Sequence, residues 1–550
     1  MDKLFTEEEQ RQISPFFTNL HAPVFGLNLP HEVAGALFSR YSRSTHTLRR
    51  TFLDEFLKNA GALLPPPVTT GHSDNASLQK ARAFYDRVLV GYGDDSIAQL
   101  GGAHIACEDV SNVAAKLLED ARIGIAPLEK STRYVYFDQK NAQGEYPFYR
   151  EPKILTSPHR NAYLKTMDLL FETYSQQIGP VTEFIKKSLP IGTIEFKHPR
   201  TGAPLRYQDT ADDLEMKKWA DSAYKATVRA HVCDLLRGYL PAATLTHVGI
   251  FGTGQAYEHL LTKLYSNPLT EAGEIARAAH ESLNQMIPSF VKRANPSRYL
   301  SETFSSIRAL AGGMSVGLSL ASDPVTLVDY DPNAEERIVA AILYSHTREP
   351  LMALRHRVQK MSSTERGEIL DAYITRRKNR RDKPGRALEQ VYYTFDLIGN
   401  LGLYRDLHRH RILSQERQDF TTAHGYDRPP EMEEMGLHRI FDTCMERAAA
   451  LYEKVYRDLP LEAQYVVPFA YRIRWYMKMN LREAVHIGEL RTMAQGHADY
   501  RLLVQQMWRK IEEVHPALSC VAKFIDWKSY RLGRLSSEMR SEYKRSQMES

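Results

Sequence analysis

His31–Leu57 reads HEVAGALFSRYSRSTHTLRRTFLDEFL, and Ala334–Met361 reads AEERIVAAILYSHTREPLMALRHRVQKM. In both, apolar residues recur at three- and four-residue intervals, the period of a helix with one buried face. Val33–Phe38 (VAGALF) parallels Ile338–Leu343 (IVAAIL), and an arginine follows five residues after each block, at Arg43 and Arg348. The echo continues in the same order. LPAATLTHVG from Leu240 parallels VPFAYRIRWY from Val467, and LNQMIPSFVKR from Leu283 parallels IEEVHPALSCVAKF from Ile511. Matching blocks in one order point to an internal duplication. The predicted division is residues 1–311 and 326–550, with the boundary near 312–325 in the small-residue stretch AGGMSVGLSLASDP. The first copy carries an extra polar segment, about Gly192 to Asp213, that reads as an exposed excursion.

The expected fold class is α+β and mainly helical, because β-like runs are few. The best are RYVYFDQ after Thr132 and VYYTFDLIG after Gln390. A 550-residue chain with 43% hydrophobic and 25% charged residues has the composition of an ordinary globular protein. No apolar run approaches the length of a membrane span, and the N-terminal MDKLFTEEEQ lacks signal-peptide character. Cys107, Cys233, Cys444 and Cys520 lie far apart and give no metal-ligand spacing, so a reduced, cytoplasmic setting is expected. A net charge of +5 is slight for this length and suits small anionic ligands rather than nucleic acid. The basic run TRRKNRRDKPGR, Thr375–Arg386, has no interleaved aromatics and reads as a solvated loop.

The sharpest chemical feature is Arg409-His410-Arg411, within LYRDLHRHRILSQERQDF. Neighbours on a helix are about 100° apart, so three consecutive basic groups cannot share one face. They suit a phosphate-rich ligand gripped from several directions, since a guanidinium matches a phosphate bidentately. A bare RHR is also common in solvated turns, as LRHR at Leu354–Arg357 illustrates.

The context of this triplet resembles the flavin-dependent thymidylate synthases. Their signature RHRxxSxNExSxRY is preceded by a GHxSxxEH-like segment and a strand. In the second half Glu389-Gln390 stands at the Glu-His position, the strand VYYTFDLIG follows, and Arg409 to Ser414 match RHRxxS. The SxRY end is missing there. In the first half Gly93–Leu100 is an eroded GHxSxxEH and Asp120-Ala121-Arg122 replaces RHR, yet Glu129-Lys130-Ser131-Thr132-Arg133-Tyr134 keeps ExSxRY. Leu128 stands where the family has Asn. The family's Arg before Leu-Pro is Arg237 in the first half, whereas the second has Gln464 before Val467-Pro468. The family's Asn-x-Arg helix that ends in Leu-Arg is matched by Asn480, Arg482, His486, Leu490 and Arg491, with Gly254, Ala256, Leu260 and Tyr265 at the matching places of the first half. On one helix Asn480 and Arg491 would fall on one side and Arg482 with His486 on another.

The losses are complementary, which random decay of a spare copy would not produce. The resemblance implies two tandem copies of the family fold related by a pseudo-twofold axis, and a homodimer that forms a pseudo-tetramer. It implies methylation of dUMP to dTMP, with methylenetetrahydrofolate as carbon donor and NADPH-reduced FAD. It places FAD against Glu389, Arg409, His410, Arg411, Asn480, Arg482 and His486. It places the nucleotide against Ser131, Thr132, Arg133, Arg237 and Arg491, with Arg491, Arg133 and Ser131 nearest the chemistry. A pyrimidine C5-methylase acting on another nucleotide, or a non-catalytic flavin- or nucleotide-binding descendant, stays open at the level of sequence.

Overall fold

The computed structural model describes residues 5–41, 44–58, 98–314 and 323–549. Arg43, the Gly93–Ile97 part of the eroded segment and residues 315–322 of the expected boundary lie outside the described residues. Among the described residues there are nine strands: β1 (Gly102–Ser111), β2 (Ile125–Glu129), β3 (Glu195–Lys197), β4 (Pro204–Arg206), β5 (Leu245–Thr253), β6 (Val325–Tyr330), β7 (Tyr392–Asn400), β8 (Ser414–Arg417) and β9 (Arg472–Asn480). The rest of the described chain is mainly helical, as expected, and the paired segments His31–Tyr41 and Ala334–Tyr344 are both helices.

The duplication is visible in the sheets. β9, RIRWYMKMN, alternates strictly: Ile473, Trp475, Met477 and Met479 are buried, and the residues between them face outward. β5, LTHVGIFGT, has the same inward and outward sequence of positions. Each strand runs straight into a helix through a capping side chain. Thr253 accepts from the Ala256 N–H at the start of Gly254–Tyr265, and Asn480 accepts from the Glu483 N–H, 2.9 Å, at the start of Leu481–Arg491. Strand order agrees as well: β1-β5-β2 in one sheet and β7-β9-β8 in the other, with β6 added at the free edge of β7.

Packing divides the chain differently from the repeat. One compact unit holds residues 1–110, 114–130 and 246–316; the other holds 111–113, 131–245 and 317–550. Residues 131–245 of the first half therefore pack with the second half. Within that larger unit the two matching proline corners pair with each other. The Phe469 N–H donates to Leu240 O and the Ala242 N–H to Val467 O, each 2.8 Å, about an antiparallel bridge between Pro241 and Pro468. Leu240 and Val467 are equivalent in the repeat, and so are Ala242 and Phe469. The two bonds are thus images of one another, as a local twofold requires.

One expectation is corrected. RYVYFDQ, read as a strand, is irregular: Thr132–Tyr134 form a turn, and the strand before it, β2, ends at Glu129. Gly192–Asp213 is exposed over most of its length, as expected, but it is folded and anchored. β3 and β4 make a short hairpin whose Phe196 is 2% exposed and packs with Met216, Ala220, Ala223, Leu535 and Met539. The hairpin thereby ties the Leu214–Leu236 helix to the C-terminal Leu535–Glu549 helix. Replacing Phe196→Ala should cost about 3 kcal/mol in a denaturant titration, the usual loss for emptying a buried aromatic site. A loss under about 1 kcal/mol would mean that the hairpin only rests on the surface.

Candidate functional site

Every candidate site residue lies in the larger compact unit. Arg409-His410-Arg411 follows the Leu401–Leu407 helix, which Asn400 caps at the end of β7, and precedes β8. The triplet lies in a turn after the helix ends, so helix spacing does not govern it; His410 is buried while Arg409 and Arg411 are exposed. His410 is held from both ring nitrogens. Its Nδ1 lies 3.0 Å from Glu483 Oε1, and its Nε2 accepts from Arg491 Nε at 2.9 Å. That pairing places the ring proton on Nδ1. Burial, followed by the charge of Arg491, pushes the His410 imidazolium well below its usual range, so the ring is neutral. His486 sits beside it, ring centroids 5.6 Å apart, with Lys383 Nζ 2.9 Å from its Nδ1. Burial, with Lys383 and Arg491, lowers His486 to about 4. Arg482 donates to Pro384 O and to Glu389 Oε1, 2.9 and 3.0 Å. Glu389 thus orients Arg482.

Asn480 departs from expectation. It is the cap rather than a member of the helix, so its equivalent in the first half is Thr253, one residue before Gly254. The predicted two sides of the helix also converge, since Arg491 and His486 both reach His410. The supposedly solvated run Thr375–Arg386 is anchored against the same helix: Arg377 is buried and binds Glu489 at 2.6 Å, and Lys383 reaches His486.

The first half supplies the other side. Arg133 grips Asp234 with two bonds, 2.7 and 2.8 Å, and donates to the Tyr500 hydroxyl at 3.1 Å. Ser131 Oγ accepts from the Arg133 N–H, and Thr132 Oγ1 accepts from Arg405 Nη1 at 2.8 Å. Arg237, at the end of the Leu214–Leu236 helix, is buried and pairs with Asp406 at 3.8 Å. Arg409 and Arg491 approach the other oxygen of Asp406 at 3.4 and 3.6 Å. Burial alone would raise the Asp406 carboxyl, but Arg409, Arg133, Arg237 and Arg491 hold it at about 2. Asp234 is likewise kept well below the carboxylate range by Arg133 and His497 against burial. The predicted Ser131, Thr132, Arg133, Arg237, Arg409, His410 and Arg491 are therefore brought together. Sequence reading missed the carboxylates Asp234, Asp406 and Glu483 and the hydroxyl of Tyr500. The available signal was spacing: Asp234 and Asp406 each stand three residues before an arginine of the motifs.

His410, Glu483 and His486 offer ligand atoms within 4.8 Å of one another, a spacing that could hold a metal. Arg491 and Lys383 occupy ring nitrogens of the two histidines, so a cation would meet two positive charges. The donor set fits an anionic or polar group instead. Arg409 and Arg411 outside, with Lys383 and Arg482 along the helix, could hold the phosphates of a flavin cofactor over the two neutral rings. Beside Arg133 and Arg237 a cleft of about 380 Å³ opens, walled by residues 427–434, 494–499 and 529–534.

The chain matches the family described as thymidylate synthase complementing protein over residues 54–289 and again over 326–517. It belongs to that family. The two matched segments accord with the tandem repeat. A UPF0159 protein of Chlamydia pneumoniae is 40% identical over 98% of both chains. A flavin-dependent thymidylate synthase of Geobacter sulfurreducens is 26% identical over 35% of this chain and 84% of its own. Among solved structures, the flavin-dependent thymidylate synthase of Helicobacter pylori complexed with FAD and dUMP aligns at 15% identity and a TM-score of 0.28, covering 37% of this chain and 100% of that one.

Burial raises the Glu483 carboxyl to about 7, above its ordinary value near 4.3. A raised carboxyl favours the folded state fully below about pH 4.3, and that contribution is lost as pH rises through about 7. Glu483→Gln cannot ionise, so its stability relative to the natural protein should grow between pH 5 and 8, by about 2 kcal/mol. Urea titrations at both pH values would show it, and a pH-independent difference would contradict the assignment.

Proposed function

We propose that this protein is a flavin-dependent thymidylate synthase with one composite site, the first half facing dUMP and the second half facing FAD. The reading rests on one observation: the motif parts that each half retains meet at a single carboxylate, Asp406, in one compact unit. Bound FAD would carry electrons from NADPH while methylenetetrahydrofolate supplies the carbon, the hard chemistry being the cofactor's. The chain's own groups bind, orient and stabilise charge. Arg237 and Arg133 receive the nucleotide, with Asp234 fixing the plane of the Arg133 guanidinium. Arg491 stabilises negative charge developing on the uracil, a task done best where water is excluded. His410, neutral and tethered to Glu483, holds Arg491 in place without adding a competing charge. Ser131 hydrogen-bonds the nucleotide and is not a nucleophile.

The purified protein should be yellow, and dUMP should perturb its flavin absorbance. Arg409→Ala should weaken FAD retention roughly ten- to a hundredfold, the worth of one charge-assisted phosphate contact of about 1.5–3 kcal/mol, and leave dUMP affinity near normal. Arg237→Ala should do the reverse. Titration of dUMP against flavin absorbance in the two variants checks the division of labour, and loss of both ligands in either variant would refute it.

A further inference from the structure

The cleft beside Arg133 is completed by a segment that the family match does not reach. The match ends at residue 517, and Ser529–Arg534 forms one wall. Five arginines line the cleft: Arg133, Arg237, Arg428, Arg531 and Arg534. Arg133 is taken by Asp234, Arg428 by Asp442 and Glu433, and Arg531 stands exposed, 3.8 Å from Glu434. Arg237 and Arg534 differ. They are 4% and 7% exposed, and each keeps a buried guanidinium nitrogen with no hydrogen-bond partner: Nη2 of Arg237 and Nε of Arg534. A buried unsatisfied donor is destabilising, and two of them on residues that line one cleft point to an acceptor supplied from outside.

We propose that Arg534 is a ligand-binding residue that shares with Arg237 the single phosphate of a nucleoside monophosphate. Its position is built rather than incidental. The Arg534 guanidinium carbon lies 4.4 Å from the centre of the Tyr134 ring, directly after Arg133. Gly533 is pressed against the 494–499 wall, where an added Cβ would come within 2.0 Å of Ala494 O, so no larger residue fits. Leu535 and Met539 then anchor the following helix on Phe196 of the β3–β4 hairpin, and Ser536 Oγ accepts from the Lys197 N–H at 3.2 Å. The hairpin inserted in the first half thus holds the helix that delivers Arg534. Glu431 and Glu434 on the 427–434 wall would repel a second phosphate, which favours a monophosphate over a di- or triphosphate.

The anion's identity as a uridylate phosphate rests on the function proposed above; the anion subsite itself does not. The test compares the full-length natural protein with Arg534→Ala and Arg534→Lys, using dUMP, deoxyuridine and inorganic phosphate in calorimetric titration and thermal melting. Arg534→Ala should weaken dUMP ten- to a hundredfold, leave deoxyuridine unchanged and abolish the upward melting shift given by phosphate; Arg534→Lys should fall between. An equal fall for dUMP and deoxyuridine, or dUMP affinity within twofold of the natural protein, would overturn the proposal. A phosphate shift that Arg534→Ala removes in a protein that ignores dUMP would keep the subsite and reject the uridylate reading. No response of the natural protein to either probe would reject both.

Discussion

The Asp406 carboxylate is the point on which the site depends. It ends the short helix after β7, and Arg237, Arg409 and Arg491 approach it from separate elements of both halves of the chain. With Arg133 nearby, four guanidinium groups stand against two carboxylates, the buried Asp406 and the half-buried Asp234. Taking a charge out of water costs several kcal/mol, and attraction at 3.4 to 3.8 Å repays only part of it. The cluster is therefore left positive and partly unsatisfied. An anionic ligand would restore the balance.

The duplicated scaffold explains how residues of both halves reach one carboxylate. In each, a strand ends in a capping side chain and a helix starts at once, which fixes the direction of the following side chains. The motifs lost from each half have been replaced by structural bonds. In the first half, Lys116 is buried between Glu119 and Glu129 just before the ruined basic triplet, closing with an ion trio the region where the second half presents His410. In the second half, Gln464, at the place of the lost arginine, is buried and accepts from the Phe420 N–H at 3.1 Å. A site that merely decays leaves unpaired groups; these positions have been satisfied, which is how a surrendered site persists without cost to stability.

Much of this was legible in the sequence because it is periodic or local. The repeat, the strand at Tyr392–Asn400 and the grouping of Arg133, Arg237 and Arg491 all follow from spacing and motif. Other features depend on tertiary packing. RYVYFDQ has strand composition, but Arg133 is turned inward to Asp234 and Tyr134 outward beneath Arg534, and those contacts override β propensity. Asn480 was assigned to the helix because caps and first turns look alike in sequence; its bond to the Glu483 N–H fixes it one residue earlier. The carboxylates were missed because an aspartate three residues before an arginine is common on any solvated helix. Only burial distinguishes a counter-ion shared by several arginines from an ordinary surface pair.

The same electrostatics tie the two ends of the site together. Tyr500 accepts from Arg133 Nη1, and its ring lies 5.6 Å from the Arg133 guanidinium and 5.7 Å from that of Arg491. Arg491 continues to His410, and His410 to Glu483 on the helix that carries His486. An anion settling on Arg237 would compete with Asp406 for that guanidinium and leave the carboxylate more strongly bound to Arg409 and Arg491. Those two arginines border the neutral rings of His410 and His486. Occupation of the first half's end would therefore alter the field at the second half's end.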